Sequence, residues 1–280
     1  MRILQLNLNH CEAAQDLLYQ TVQEQHIDVA ILSEQYKNLD GNSWVSDASG
    51  KAAIWICNSQ AIQEVNTTSH SGFVWAKING VYIFSCYAYP SITIEDFANL
   101  LDRIVIEASC HNPTIIAGDF NAWATEWGSR ITNRRGEVLL EALAQLNDMI
   151  LLNTGSNPTF TRAGRSSIID LTFVSGRLHR IATREVCTFY TNSDHQAILT
   201  TLDTPTRKKS SGWRTNGWNT KTFDAASFTL MLEDECELKG SAEEKVRILT
   251  SFISGACDAA MTHSKPGKHH SSSVLVDGYY

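Results

Sequence analysis

Thr114-Ile115-Ile116-Ala117-Gly118-Asp119-Phe120-Asn121-Ala122 is the stretch that decides how this chain is read. An apolar run ends on a glycine and passes at once to a carboxylate, a bulky apolar residue and a carboxamide, the pattern of a buried strand reaching the mouth of a sheet. In open α/β sheets the crevice beyond the strand ends is where ligands bind. Strand alternation points Asp119 and Asn121 the same way, so both address one ligand. Gly-Asp before a loop is also an ordinary turn. What favours a site is that other apolar runs of the chain end on polar residues in the same manner.

Outward from that stretch, Arg2 to Asn9 alternates, with Leu4, Leu6 and Leu8 on one face and Gln5, Asn7 and Asn9 on the other, and so reads as a strand delivering Asn7 to a polar edge. Cys11 to about His26 has helical spacing through Ala14, Leu17, Leu18 and Val22. Ile27 to Glu34 is a buried strand ending on a carboxylate, for which a ligand role outweighs an incidental loop charge. Residues 51–58 form another strand, and Asn79-Gly80 turns Phe73–Ile78 into Val81–Tyr87 as a hairpin. Tyr87 falls where that strand gives way to a loop; packing and a hydroxyl contact to phosphate are both open to it. Thr93-x-x-Asp96 caps a helix carried by Phe97, Leu100, Leu101, Ile104 and Val105. A Trp- and Arg-rich loop, Trp123 to Arg135, leads into a helix to Leu146, then a strand at Met149–Asn153, another opened by Asn157–Thr161, and, between Thr161 and Ser166, a basic hairpin tip, Arg162-Ala163-Gly164-Arg165.

The strand Ile168–Val174 carries Asp170 in an apolar setting, where an acid must be paired, hydrogen-bonded or protonated. Thr191-Asn192-Ser193-Asp194-His195-Gln196, just before the last strand (Ala197–Leu202), offers a histidine partner. Alone, an Asp-His dipeptide is weak. Its strength comes from the set: Asn7, Glu34, Tyr87, Asp119, Asn121, Asp170, Asp194 and His195 all stand at ends of apolar strands separated by helix-length intervals.

A length of 280 residues with 43% hydrophobic content supports one large domain plus an extension. No run is long and apolar enough for a membrane span, and the start lacks the pattern of a secretory signal. Seven scattered cysteines without a Cys-x-x-Cys pair read as reduced thiols of an intracellular protein. The net charge of −7 argues against a generally basic nucleic-acid binder, but the charge is unevenly placed. Residues 1–119 hold 5 Lys/Arg against 13 Asp/Glu, whereas residues 120–204 hold 8 of each and every cation is an arginine. Arg130, Arg134, Arg135, Arg162, Arg165, Arg177, Arg180 and Arg184 are thus candidates for one phosphate-facing surface; the plain alternative is that they are solvated at turns and helix starts.

In order, Leu-Asn at 6–7, Ser-Glu-Gln at 33–35, the tyrosine before Pro90, Gly-Asp-Phe-Asn at 118–121, Ser-Ile-Ile-Asp at 167–170 and Ser-Asp-His at 193–195 resemble the exonuclease, endonuclease and phosphatase superfamily, over residues 1 to about 204. Within it, Ser-Glu-Gln-Tyr, Gly-Asp-Phe-Asn-Ala-Trp, Asn-x-x-Thr-Phe-Thr and Ser-Ile-Ile-Asp-Leu-Thr-Phe are similar to the endonuclease domain of site-specific non-LTR retrotransposons, the clade inserting into ribosomal DNA or telomeric repeats. The segment around Tyr87 departs from the usual Tyr-x-Pro-Pro by placing Tyr89 before Pro90.

The resemblance implies a four-layered α/β sandwich of two packed mixed sheets flanked by helices, as in deoxyribonuclease I. It also implies a DNA nickase leaving a 3′-hydroxyl that primes reverse transcription. Glu34 and Asn7 would hold Mg²⁺ or Mn²⁺, with Asp194 helping the cation or its hydrogen-bond network. Asp119 would activate the water, Asn121 hold water and phosphate, Tyr87 contact phosphate or leaving oxygen, and His195, set by Asp170, hydrogen-bond the phosphate. Thr159 and Ser193 are candidates either to contact the phosphate of the DNA or to support the residues that do. Arg162, Arg165, Arg130, Arg134 and Trp123 are the expected DNA probes, since arginine reads base edges and grooves and tryptophan stacks or wedges. The partners expected are double-stranded DNA and a reverse transcriptase domain C-terminal to this chain, with no membrane and a nuclear location. An abasic-site repair endonuclease, another phosphodiesterase of the superfamily, and an inactive DNA-binding module are the alternatives. Residues 1–204 are read as the endonuclease domain and 205–280 as a linker-like extension: a linker at 204–212, amphipathic helices at 223–238 and 241–262, and a disordered tail at 263–280.

Overall fold

Short runs of branched and aromatic residues at period two, punctuated by turn residues, build fourteen strands among the described residues, and two longer 3.6-period stripes build the helices that cross between parallel strands. The computed structural model describes residues 1–58, 62–66, 70–203, 218, 220–232 and 240–262. Backbone contacts divide the chain into Met1–Pro205 and Thr206–Tyr280. The first unit runs β1 (Arg2–Asn7), α1 (Glu12–Glu24), β2 (Val29–Ser33), β3 (Trp44–Ser46), β4 (Ala52–Ile56), β5 (Ile62–Val65), β6 (Phe73–Ile78), β7 (Val81–Tyr87), α2 (Ile94–Ser109) and β8 (Thr114–Asp119). It continues with α3 (Arg134–Leu143), β9 (Met149–Leu151), β10 (Phe160–Arg162), β11 (Arg165–Ser167), β12 (Asp170–Ser175), α4 (Gly176–His179), β13 (Ala182–Val186) and β14 (Ile198–Leu202).

Two six-stranded sheets result, β13-β14-β1-β2-β4-β3 and β5-β6-β7-β8-β12-β9, with β10-β11 a separate two-stranded hairpin. Each sheet is mixed, because β1 and β2 are parallel across α1, and β7 and β8 are parallel across α2, while the other pairs are antiparallel. Leu4, Leu6, Ala30 and Leu32 pack with Leu18 and Val22 of α1. Phe84, Ile116 and Phe173 pack with Phe97, Leu100 and Ile104 of α2 and with Leu139 of α3. Between the sheets lie Ile3, Val29, Ile31, Ile54, Val74, Ile83, Ile115 and Val174. The architecture is a four-layered α/β sandwich, two packed mixed sheets flanked by helices, as the resemblance implies.

Register turns that middle layer into three tiers. Ile3 pairs with Val29, Ile83 with Ile115, and Ile115 with Val174, an apolar tier. Two residues along, Gln5 pairs with Ile31, Ser85 with Ala117, and Ala117 with Thr172. Two further, Asn7 pairs with Ser33, Tyr87 with Asp119, and Asp119 with Asp170, a wholly polar tier. The polar face of β1 is therefore not a solvent edge but is buried against the other sheet. Its groups are satisfied there: Gln5 Nε2 donates to the Gly118 carbonyl at 3.2 Å and Thr172 Oγ1 to Gln5 Oε1 at 3.0 Å.

Thr93 caps α2 by accepting from the Asp96 N–H, with Glu95 and Asp96 at the positive helix end. Elements that the periodicity did not reveal are β3, β5, β13 and α4, all short and, for β5 and β13, half-exposed.

In the second unit, α5 (Ala225–Leu232) and α6 (Ala242–Ala260) are helices, α6 opening with a reciprocal cap between Ser241 and Glu244. The linker expected at 204–212 and the tail expected at 263–280 lie outside the described residues, as does 233–238 of the helix expected over 223–238. No helix among the described residues is long and apolar enough to cross a membrane.

Candidate active site

The polar tier opens where β1, β2, β7 and β8 end and the antiparallel β12 begins. Gly118 sets its floor. A Cβ there would lie 1.8 Å from the Cys86 carbonyl oxygen, so only glycine lets β8 run this close to β7 before delivering Asp119. Asp119 is 1% exposed, and its Oδ2 accepts from Asn7 Nδ2 at 2.9 Å. The same amide nitrogen donates to Glu34 Oε2 at 3.1 Å, so one carboxamide bridges two carboxylates from two sheets. The Tyr87 hydroxyl bonds the Glu34 carboxylate; burial and then this neighbour raise its pKa, which keeps it a protonated donor. Glu34 lies just beyond β2 at φ +49, and Asn9, His10 and Asn121 around it are also left-handed. Such non-glycine residues are a backbone cost that persists where surrounding structure imposes it.

Opposite, Asp170 Oδ2 receives His195 Nδ1 at 2.9 Å, leaving Nε2 facing Asp119 Oδ2 at 4.0 Å and Asp194 Oδ1 at 3.9 Å. Burial by itself would lower the His195 pKa, but the Asp170 charge and hydrogen bond, joined by Asp119 and Asp194, outweigh it and raise it to about 9. The ring is thus cationic at neutral pH. Burial, and then the Asp170 charge, push Asp119 up to about 7, against the lowering effect of His195, the Asn121 N–H and Asn7. Two aspartates directly opposite on one antiparallel ladder are thereby set apart, one tied to an imidazole and the other to amides.

Several expectations need correction. Asn121 does not continue the alternation of Asp119, because the strand ends and Asn121 turns left-handed at φ +47. Its N–H bonds Asp119 Oδ1 at 3.0 Å and its Nδ2 the Ala88 carbonyl at 3.2 Å. Thr159 is fully buried and accepts from the Ile169 and Asp170 N–H groups at 3.1 Å each, so it supports Asp170 rather than facing DNA. Ser193 Oγ donates to the Asn7 carbonyl at 2.8 Å and accepts from the His195 N–H, tying the two halves of the cleft.

The eight arginines do not share one surface. Arg135 and Arg184 are turned inward onto carbonyl and hydroxyl oxygens. Arg177 and Arg180 belong to the turn after Ser175, the opposite end of β12 from Asp170 and about 17 Å away at strand rise. Arg162 and Arg165 are exposed on the hairpin tip, Arg130 on the loop before α3, and Arg134 at the first position of α3, where it pairs with Glu137 at 2.9 Å. Trp123 is 42% exposed while Trp127 is buried, so the two tryptophans of that loop divide between surface and core.

His10 and Lys51 were not singled out from the sequence. His10 Nε2 lies 3.2 Å from Glu34 Oε1, and Lys51 Nζ lies 2.8 Å from the same ring nitrogen. Only the position of His10 just past the Asn7-Leu8-Asn9 run could have flagged it.

Asp119, Asp170 and His195 bring three donor atoms within 4.8 Å of one another and can hold a cation. His195 Nδ1 and Asp170 are already engaged with each other, however, so the freer donors are Glu34, Asp119 and Asp194. Glu34 has a side chain 19% exposed, and Asp194 Oδ1 is buried with no hydrogen-bond partner. Glu34 and Asp119, linked through the Asn7 amide, offer carboxylate oxygens of the kind a hard divalent cation prefers.

A family model for endonuclease-reverse transcriptase matches residues 81–199. Among solved structures, the endonuclease domain of TRAS1, a telomere-specific non-LTR retrotransposon, is 25% identical with a TM-score of 0.63, covering 72% of this chain and 98% of that one. The 3′-5′ exonuclease NExo from Neisseria meningitidis (15% identity, TM-score 0.57, 72% and 100% covered) and an AP endonuclease from Archaeoglobus fulgidus (13%, 0.59, 73% and 100%) share the fold. A search of curated proteins found no match. The chain is thus a phosphodiester hydrolase with the fold of the deoxyribonuclease I-like nucleases, similar over residues 81–199 to the endonuclease-reverse transcriptase family.

Proposed function

We propose that this nuclease is a divalent-metal-dependent DNA endonuclease of a non-LTR retrotransposon, nicking one strand at a target site, with telomeric repeats or ribosomal DNA as the candidate targets. The observation that carries the chemistry is the gap between Asp119 Oδ2 and His195 Nε2, 4.0 Å across, with an acid of raised pKa on one side and an imidazolium on the other. Support for the biological setting is the family match and the likeness to the TRAS1 endonuclease domain.

A water seated against Asp119 loses its proton to that carboxylate as its oxygen bonds to phosphorus. The P–O3′ bond breaks, the 3′-oxygen takes up a proton, and the nick carries a free 3′-hydroxyl. His195 donates through Nε2 to a non-bridging oxygen, and Asp170 fixes its tautomer. Tyr87 donates to the phosphate or the leaving oxygen, and Asn121 orients water and phosphate. Glu34, with Asn7 beside it and Asp194 helping the cation or its hydrogen-bond network, would hold Mg²⁺ or Mn²⁺, which would supply positive charge to the phosphate and leaving oxygens. The 3′-hydroxyl then primes a reverse transcriptase encoded C-terminal to this chain, in the nucleus. The hairpin tip, with Arg162 and Arg165, and the loop bearing Trp123, Arg130 and Arg134 contact the flanking duplex.

The test is supercoiled-plasmid nicking with and without a chelator, end-mapping on DNA carrying telomeric-repeat and ribosomal inserts, and cleavage of an abasic oligonucleotide. Chelator-sensitive nicks clustered in one insert and ending in 3′-hydroxyl are expected. Cleavage confined to abasic sites would replace this reading with a repair activity.

A further inference from the structure

We infer that Arg135 is a positioning residue, which holds Tyr87 and Asn121 at their working separation by tying together the loops that follow β7 and β8. The roles of those two side chains rest on the proposed function; the tie itself does not.

Arg135 is the second residue of α3, and none of its donors faces an acid. Nη1 donates to the carbonyls of Tyr89 at 2.8 Å and Pro90 at 3.4 Å; Nη2 donates to those of Ala88 at 3.2 Å and Phe120 at 2.9 Å. Three of these carbonyls immediately follow Tyr87, and the fourth immediately precedes Asn121. The guanidinium also stacks over the Phe97 ring of α2, 4.2 Å from its centroid. One planar cation therefore joins two cleft-edge loops and a helix.

The choice of arginine follows from geometry. A guanidinium presents donors in a rigid fork and is weakly hydrated, so it can be half-buried while serving several carbonyls; an ammonium is a strongly hydrated point on a flexible stem. Its place is set by Gly136. A Cβ at that position would lie 1.9 Å from the Trp123 carbonyl oxygen, so the first turn of α3 is pressed onto the chain leaving β8. Asn121 shares the arrangement, since its Nδ2 donates to the same Ala88 carbonyl that Arg135 Nη2 reaches. The buried charge is felt in the cleft as well: burial lowers the Arg135 pKa, while Asp119 and Tyr87 act in the opposite direction.

The test compares the full chain with Arg135→Lys and Arg135→Met, reading plasmid nicking (kcat and KM separately), thermal melting, and amide hydrogen exchange of residues 88–92 and 120–124. Both variants are expected to remain folded at assay temperature, to lose about 100-fold in kcat with KM nearly unchanged, as sub-ångström to ångström misplacement does, and to exchange faster in both segments together. Lysine keeping the wild-type rate while methionine loses it would overturn the tie in favour of charge alone. A lowered melting point with wild-type kcat and unchanged exchange would reduce Arg135 to packing. Should the wild-type chain fail to nick, the proposed function falls, and the exchange of the two segments still decides for or against the tie.

Discussion

The two ends of the layer between the sheets are made by the same strands, about 13 Å apart at strand rise, yet they have opposite chemistry. At one end Ile3, Val29, Ile83, Ile115 and Val174 exclude water; at the other Asn7, Ser33, Tyr87, Asp119 and Asp170 stand in the same inward-facing columns. Burial is equally complete at both, so accessibility does not separate core from site. What separates them is what each group can do with burial: the branched residues gain from it, while each acid needs its own partner, and burial raises the proton affinity of Asp119.

The sharpest way to break that contrast is at the polar end. Asp119→Ala and His195→Ala are each expected to lower nicking by about 10³-fold or more, the scale of losing a proton acceptor or a charged phosphate donor, with the folded state retained in circular dichroism; undiminished nicking by either would remove the role assigned to it. Asp170→Asn should act less severely and more informatively. The wild-type rate requires ionised Asp119 and protonated His195, so it should rise through about pH 7 and fall through about pH 9. Asp170 raises both values, and removing its charge lowers both, so the whole bell should move to lower pH. A pH–rate profile that kept its alkaline limb would show that Asp170 does not govern the histidine.

At the apolar end the expected effect has the other character. Ile115→Ala should destabilise the fold by about 2–5 kcal/mol, measured by urea unfolding, and leave kcat of the folded enzyme unchanged. Replacing residues 162–165 of the hairpin tip should have the smallest effect on both counts. Melting and rate on non-specific DNA should stay put, and only the map of nicked positions should change.

The contrast also explains what could be read in advance. The strand ends at Asn7, Tyr87 and Asp119 and the cap at Thr93 were legible because period, turn and cap signals coincide there. Asp170 demanded a partner on composition alone, and His195 is that partner. Short elements such as β3 and β13 carried too few residues for a period to show. The inward turn of Arg135 and Arg184 was invisible, since a carbonyl partner leaves no trace in residue type. The burial of Thr159 and the bridging by Ser193 belong to the same class, hydroxyls bonded to backbone groups.

The hairpin β10-β11 belongs to neither sheet. It is sewn to the histidine segment by Thr161 N–H to Asp194 O at 2.8 Å and Gln196 N–H to Thr159 O at 2.7 Å, while its tip closes on the Arg162–Arg165 pair, with Arg162 3.8 Å from the Asp194 carboxylate. On the proposed function, in which the tip reads the target, a change of landing place needs substitutions only there and leaves the strand-end chemistry of Asp119 and Asp170 in place.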